Sequence, residues 1–244
     1  GLNKNNDASA PDDYVMIIAS SPNSYSIGQE IPFDFEFNGK VEKYFKVSTT
    51  GFVTFDTLVS GAPSSANENL PSKLLPDKTV CLLGLDGSGS NDIVMSHQYG
   101  KPPYRQLWIT FWSFSSSSSS TNSFNYYSIV LEETSNKIYI VDQRHGNLNG
   151  IYQPVSLTIG VQVDTTSAIE IPGSPNIPNQ DNGEENTDND YYLFGPTPHA
   201  QYDLEIGGLD LPPVIKGGVQ KNISSKVINL GSGTITSFDL AYSV

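Results

Sequence analysis

Two sets of residues in this 244-residue chain have types and spacings that could do chemistry. The first is acidic. Asp86-Gly-Ser-Gly-Ser-Asn-Asp92 and Asp181-Asn-Gly-Glu-Glu-Asn-Thr-Asp188-Asn-Asp190 place many hard oxygen donors on turn-forming backbone, the ligand chemistry that calcium favours. Asp86, Asp92, Asp181, Asp188 and Asp190 are therefore candidate calcium ligands, and calcium is the one cofactor this composition suggests. Neither loop follows EF-hand spacing, because the glycine and the closing Glu are misplaced. The second set is aromatic. Trp108, Trp112, Tyr126 and Tyr139 fall in β-patterned segments, where flat rings on a sheet face can stack on sugar rings. The same spacing packs a core equally well.

Catalytic patterns are weaker. Glu132 and Glu133 are adjacent on a strand and so point to opposite faces, which prevents them from acting as a pair on one sugar or ester. Glu184-Glu185 lies in an acidic loop. His97, His145 and His199 are far apart and read as loop or strand-end residues, without the close spacing of a zinc site. No Gly-x-Ser-x-Gly is present. Cys81 is the sole cysteine, which excludes an intrachain disulfide and a cysteine-based metal centre; flanked by Val80, Leu82 and Leu83, it reads as a small buried apolar residue. The chain is read as non-enzymatic.

The elements that must position these residues are strands. In "FDFEFNGKVEKYFKVSTTGFVTFD", Phe33, Phe35 and Phe37 alternate with Asp34 and Glu36, the two-residue period of a half-buried strand. Asn38-Gly39 supplies a tight turn, Phe45 and Val47 resume the buried face, and Gly51 breaks the chain before Phe52. "VCLLGL", Val80 to Leu85, is apolar throughout and suits a strand buried on both faces. The loop before it, Ser60 to Thr79, has only Leu70, Leu74 and Leu75 as anchors. In "RQLWITFWSFS" the alternation puts Leu107, Ile109 and Phe111 on one face and Trp108, Thr110, Trp112 and Phe114 on the other. A serine run, Ser115 to Ser120, leads into "FNYYSIVLEE" and "KIYIVD", and "VSLTIGVQVD" supplies a further strand.

Composition points the same way. Charged residues are only 16%, with 21 Gly and 16 Pro, a bias toward strands and turns rather than helices. The net charge of -13 argues against a nucleic-acid backbone or an anionic membrane as partner. No apolar run is long enough for a membrane helix. The polar start, "GLNKNNDASAPDD", reads as a mature exported chain, and the acidic, Ser/Thr/Asn-rich surface suits a secreted or cell-surface protein of bacterial type.

The expected organisation is all-β: a disordered lead over 1–12, a jelly-roll-like β-sandwich over 13–171, an acidic Pro/Asn-rich loop or linker over 172–201, and the start of an immunoglobulin-like module over 202–244. The last part is expected to have strands near Asp203–Ile206, Ile223–Asn229 and Phe238–Val244. That is too few strands to close an immunoglobulin sandwich, which predicts truncation of a longer protein.

"FDFEFNGKVEKYFKVSTTGFVTFD", "YGKPPYRQLWITFWSF", "YYSIVLEETSNKIYIVD" and "LTIGVQVD" together resemble the β-sandwich repeat of secreted surface proteins of Bacteroidota, and are similar to nidogen-type extracellular modules. "SKVINLGSGTITSFDLAYSV" resembles the first half of the cell-adhesion-related bacterial immunoglobulin-like module of the same proteins. The chain departs from that pattern in "TTGF", which keeps Gly51 but loses an Asn, and in "LLGLDGSGSND", which stands where an acidic-tryptophan segment is common. The resemblance implies a non-catalytic secreted or surface module for adhesion or spacing, with a glycan or extracellular protein as partner. The alternative is a carbohydrate-binding module of a secreted hydrolase. Trp108, Trp112, Tyr126 and Tyr139 are the residues on which that alternative rests.

Overall fold

In a computed structural model, the described residues are 14–116, 123–147, 156–176, 190–196, 202, 204–210, 224–229 and 233–240. Their regular elements are all strands: β1 (Val15–Ala19), β2 (Gln29–Phe37), β3 (Lys40–Ser48), β4 (Phe52–Thr54), β5 (Thr79–Leu83), β6 (Leu85–Asp86), β7 (Ile93–Tyr99), β8 (Gln106–Ser116), β9 (Ser123–Glu132), β10 (Ile138–Asn147), β11 (Thr158–Asp164), β12 (Ser167–Glu170), β13 (Asp190–Phe194), β14 (Leu204–Asp210) and β15 (Ser224–Asn229). The chain divides into a unit ending at Pro196 and a unit beginning at Thr197.

The first unit is a sandwich of two antiparallel sheets. One has the order β1-β7-β8-β9-β10-β13, with β6 pairing the far end of β8; the other has the order β12-β11-β5-β4-β3-β2. The sequence dictates the pairing locally. Asn38 and Gly39 both adopt positive φ, as a two-residue hairpin turn requires, and this sets Phe37 opposite Lys40. Phe33, Phe35 and Phe37 are buried while Asp34 and Glu36 are exposed, so the aromatic face of β2 turns inward. There it joins Phe45, Val47, Val80 and Leu82 against Ile109, Phe111, Ile129, Leu131 and Ile140 of the facing sheet.

β5 is buried on both faces, as its unbroken apolar run implies. Val80 and Leu82 enter the main core, whereas Cys81 and Leu83 pack with Phe52 and Leu75 under the Ser60–Thr79 loop. Burial pushes the Cys81 thiol well above its usual range, so it is an inert packing residue. Of the three expected leucine anchors, Leu75 is buried and Leu70 packs beside it, while Leu74 is exposed. Polar anchors replace it: the buried Gln162 amide accepts from the Ser72 N–H at 2.7 Å and donates to the Ser72 carbonyl at 3.0 Å.

Two parts of the organisation differ from the sequence expectation. Asp190–Phe194, expected within the 172–201 loop, is an edge strand paired along β10 from Asp142 to Ile138. Phe194 and Tyr192 join the core from it, which gives the strand its hydrophobic reason to dock. In the second unit β14 and β15 pair antiparallel, Leu204 opposite Asn229 and Asp210 opposite Ser224. The expected strand from Phe238 is not formed over 233–240, where Phe238 and Leu240 stay exposed; 241–244 lie outside the described residues.

Candidate functional site

The site begins with a break in alternation. β9 keeps a strict two-residue period, with Asn125, Tyr127, Ile129 and Leu131 toward the core and Phe124, Tyr126, Ser128 and Val130 on the opposite face. Both of its neighbours slip at the same level. On β8, Phe111 pairs with Tyr127 and Phe114 with Asn125, so Trp112 and Ser113 together oppose Tyr126. This is a β-bulge, with Ser113 at φ 68°. On β10, Asp142 pairs with Tyr127 and Arg144 with Tyr126, so Gln143 is extra.

Each bulge reverses the facing of the residues beyond it. Phe114 turns inward, packing edge-to-face on Phe111 at 5.4 Å, contrary to the expected grouping with Trp108, Thr110 and Trp112. Gly87 makes room for it: a Cβ there would meet the Phe114 ring at 2.6 Å. His145 also turns inward and is 1% exposed, which corrects its reading as a loop or strand-end residue. Its Nδ1 lies 2.7 Å from the Asp142 carboxylate, which accepts the Tyr127 hydroxyl at 2.9 Å. The outer face keeps Trp112 and Arg144, one on each side of Tyr126. Bulges are found where a sheet re-aims side chains, and two of them flank this one tyrosine.

The four aromatic candidates separate into two pairs. Trp108 and Tyr139 are buried with Val130 and Val141 in a satellite cluster on the outer face, and the half-buried Tyr99 packs against it. Their polar ends are held within the protein. The Trp108 indole N–H donates to Gln106 at 3.2 Å, Gln106 donates to Glu132 at 2.8 Å, and the Tyr139 hydroxyl donates to Glu132 at 3.2 Å. Burial raises the Glu132 carboxyl, but hydrogen bonds from Ser135, Gln106 and Tyr139 and the charge of Lys137 outweigh it and hold the group below the usual carboxylate range. Burial, then the Glu132 charge, push the Tyr139 phenol up to about 12. This pair is framework.

Trp112 and Tyr126 remain half-buried and meet edge-to-face at 5.1 Å, with planes at 78°. Phe124 stands at 6.0 Å from Tyr126, and the Arg144 guanidinium lies over the Phe124 ring at 5.0 Å. Beside them is a recess of about 360 Å³ walled by Gly89–Asp92, Ser113, Ser115, Ser123, Phe124, Tyr126 and Arg144. Arg144, Phe124 and the Gly89–Asp92 wall were not among the predicted aromatic contacts. The only sequence sign of Arg144 was its scarcity value, as one of 13 basic residues in a chain of net charge -13.

The acidic candidates lie apart from one another in role. Asp86 accepts from the Ser88 N–H at 3.0 Å and Asp92 from the Gly89 N–H at 2.7 Å. Asp92 is 3% exposed, and burial raises its carboxyl, with the Asp86 charge adding to the rise against the lowering by Gly89. Asp190 opens β13 opposite Asp142. Asp181 and Asp188, like His199, lie outside the described residues. Among the described residues no three His, Cys, Asp or Glu side chains gather as a metal site. Glu133 is engaged by Arg105, whose Nε and Nη2 donate at 2.9 and 2.6 Å, while Glu132 serves the Trp108 network.

A two-sheet all-β unit ending near Pro196 is what the family comparison matches: the NIDO-related family model covers residues 13–196. The chain belongs to the NIDO-related family. The match takes in β13 and stops where the first unit stops. Comparison with curated proteins and with solved structures gives no match. The NIDO-related domain is a structural module of extracellular type, and among the described residues no helix is long and apolar enough to cross a membrane.

Proposed function

We propose that this NIDO-related domain is a secreted or cell-surface, non-catalytic binding module that serves adhesion through the Tyr126 face of its larger sheet. The observation that carries the reading is the pair of bulges that present Trp112 and Arg144 on either side of Tyr126 while their neighbours are buried. A spacer would have no need to hold two half-exposed aromatic rings and an arginine free of carboxylate partners among the described residues. By contrast, the larger recess of about 480 Å³ near Phe33 and Glu36 has its cation, Arg105, closed in a two-point ion pair with Glu133. The carbohydrate-binding alternative draws on the same Tyr126 face, since the buried Trp108 and Tyr139 have no surface to offer.

The second unit, in which β14 and β15 pair antiparallel, is read as immunoglobulin-like. The test is a panel of immobilised glycans and extracellular proteins probed with the full chain and with W112A. Selective capture of a panel member that W112A loses while remaining folded supports the reading. Capture that is indifferent to W112A contradicts it.

A further inference from the structure

The recess beside Tyr126 combines four kinds of chemistry within about 360 Å³. Tyr126 and Phe124 supply aromatic carbon. Arg144 supplies a fixed fork of N–H donors, held by its stacking on Phe124 and paired with no carboxylate among the described residues. Asp92 supplies carboxylate acceptor capacity, since one of its oxygens is engaged by Gly89 and the side chain carries two. Ser90, Asn91, Ser113, Ser115 and Ser123 add groups that both donate and accept.

We infer that this recess takes a neutral saccharide residue, bound as a chain end rather than along a flat polymer face; the inference rests on the Tyr126 face being the binding face. Three features select that ligand class. Hydroxyl groups are both donors and acceptors, so a ligand rich in them can answer an arginine, a carboxylate and five small polar side chains in one small volume. The aromatic rings form a corner, not a platform: Trp112 and Tyr126 are 78° apart, and Phe124 and Tyr126 65° apart. A corner receives one ring and turns away an extended planar surface. The charge is wrong for an anion, because Asp92 lines the recess, Asp86 is close enough to raise it, and the whole chain carries -13. One guanidinium does not offset that field.

The backbone supports this assignment. Ser113 has positive φ without being glycine, a conformation that costs energy and is retained where the surrounding structure enforces it. The bulge it forms brings Ser113 into the recess wall and Trp112 onto the edge of Tyr126. The Gly89–Asp92 turn is closed in both directions, Asp92 N–H to the Gly89 carbonyl at 3.0 Å and Gly89 N–H to the Asp92 carboxylate at 2.7 Å. The acidic wall is therefore held in place before any ligand arrives, which lowers the ordering cost of binding.

Calorimetric titration of the full chain tests this with oligosaccharides matched in linkage and length, one set of neutral hexoses and one of the corresponding uronates, and with an oligoglutamate peptide. At least one neutral oligosaccharide should bind, its affinity falling about tenfold or more in R144Q and in Y126A. Its uronate counterpart should bind about tenfold more weakly or worse, and D92N should narrow that gap. Arg144 is exposed, so R144Q is expected to keep the wild-type melting temperature, and R144K should recover part of the affinity. Uronate or peptide binding that W112A abolishes would overturn the neutral-saccharide inference while leaving the binding face intact. Neutral binding unchanged in R144Q, Y126A and W112A would overturn both. Absence of binding to every neutral oligosaccharide would overturn the inference alone.

Discussion

Truncating Trp108 and Trp112 should have opposite consequences, although the two lie four residues apart on one strand and on one face. Trp108 is 1% exposed, and W108A removes a fully buried indole, a change that costs about 3–5 kcal/mol when the cavity does not collapse. It also strips Gln106 of its donor, worth about 1 kcal/mol. For a unit of this size each kcal/mol lowers the melting temperature by about 2–4 °C, so W108A, losing about 4–6 kcal/mol in all, should melt roughly 8–24 °C below the parent. Trp112 is half-buried, and W112A gives up an edge-to-face pair worth about 0.5–1.5 kcal/mol beyond its area. Its shift should be less than half that of W108A. The assay is convenient because these are the protein's 2 tryptophans, so each variant leaves one reporter. In thermal and urea melts, the W112A protein should show a blue-shifted native emission from Trp108 that moves to the red on unfolding. The W108A protein should show a red-shifted one that moves little. Equal losses of stability in the two variants, or a larger loss in W112A, would refute the division into framework and binding aromatics.

Further outcomes are expected from the same geometry. G87A should destabilise the fold by about 1–3 kcal/mol through overpacking against Phe114 and should weaken ligand capture together with stability, as measured by urea denaturation and by the binding panel. Glu132 has its folded pKa lowered, so its contribution is present above its unfolded pKa of about 4.3 and is lost as pH falls through the lower folded value; E132Q should flatten the acid side of the stability profile. Asp92 has its folded pKa raised, so its charged form weighs against folding once pH rises above its unfolded value of about 3.9. D92N should therefore melt at or above the parent temperature at pH 7 and match it at pH 3. The calcium expectation is tested on the same pair: with no third His, Cys, Asp or Glu side chain gathered beside Asp86 and Asp92 among the described residues, millimolar calcium should leave the melting temperature unchanged, whereas a rise that D92N abolishes would place the ion in that loop.

The sandwich was legible because its strands obey a two-residue period. Phe33, Phe35 and Phe37, the Asn38-Gly39 turn and the apolar run through Cys81 each follow a local rule, and each lies where that rule puts it. The candidate site was not legible, because its residues lie where the period fails. Nothing in "TFWSFS" marks Ser113 as the residue that takes positive φ, and an unbroken alternation sends Phe114 to the wrong face. The bulge at Gln143 hides in the same way, and with it the inward turn of His145 and the outward position of Arg144. Asp190–Phe194 escaped notice because five residues after a long acidic segment carry too little pattern to stand out; their pairing with β10 is a tertiary fact. The four aromatic candidates lie on β8, β9 and β10 of one sheet, a placement that comes from the strand pairing, and burial, which sequence does not give, decided which two remain accessible.

The most direct test of the binding-face account uses the two tryptophans as separate reporters. With a ligand drawn from the panel, fluorescence titration of W108F, in which only Trp112 remains, should show a saturable change, and titration of W112F, in which only Trp108 remains, should show little or none. A ligand that binds while altering Trp108 alone, or neither tryptophan, would place recognition elsewhere and contradict the account.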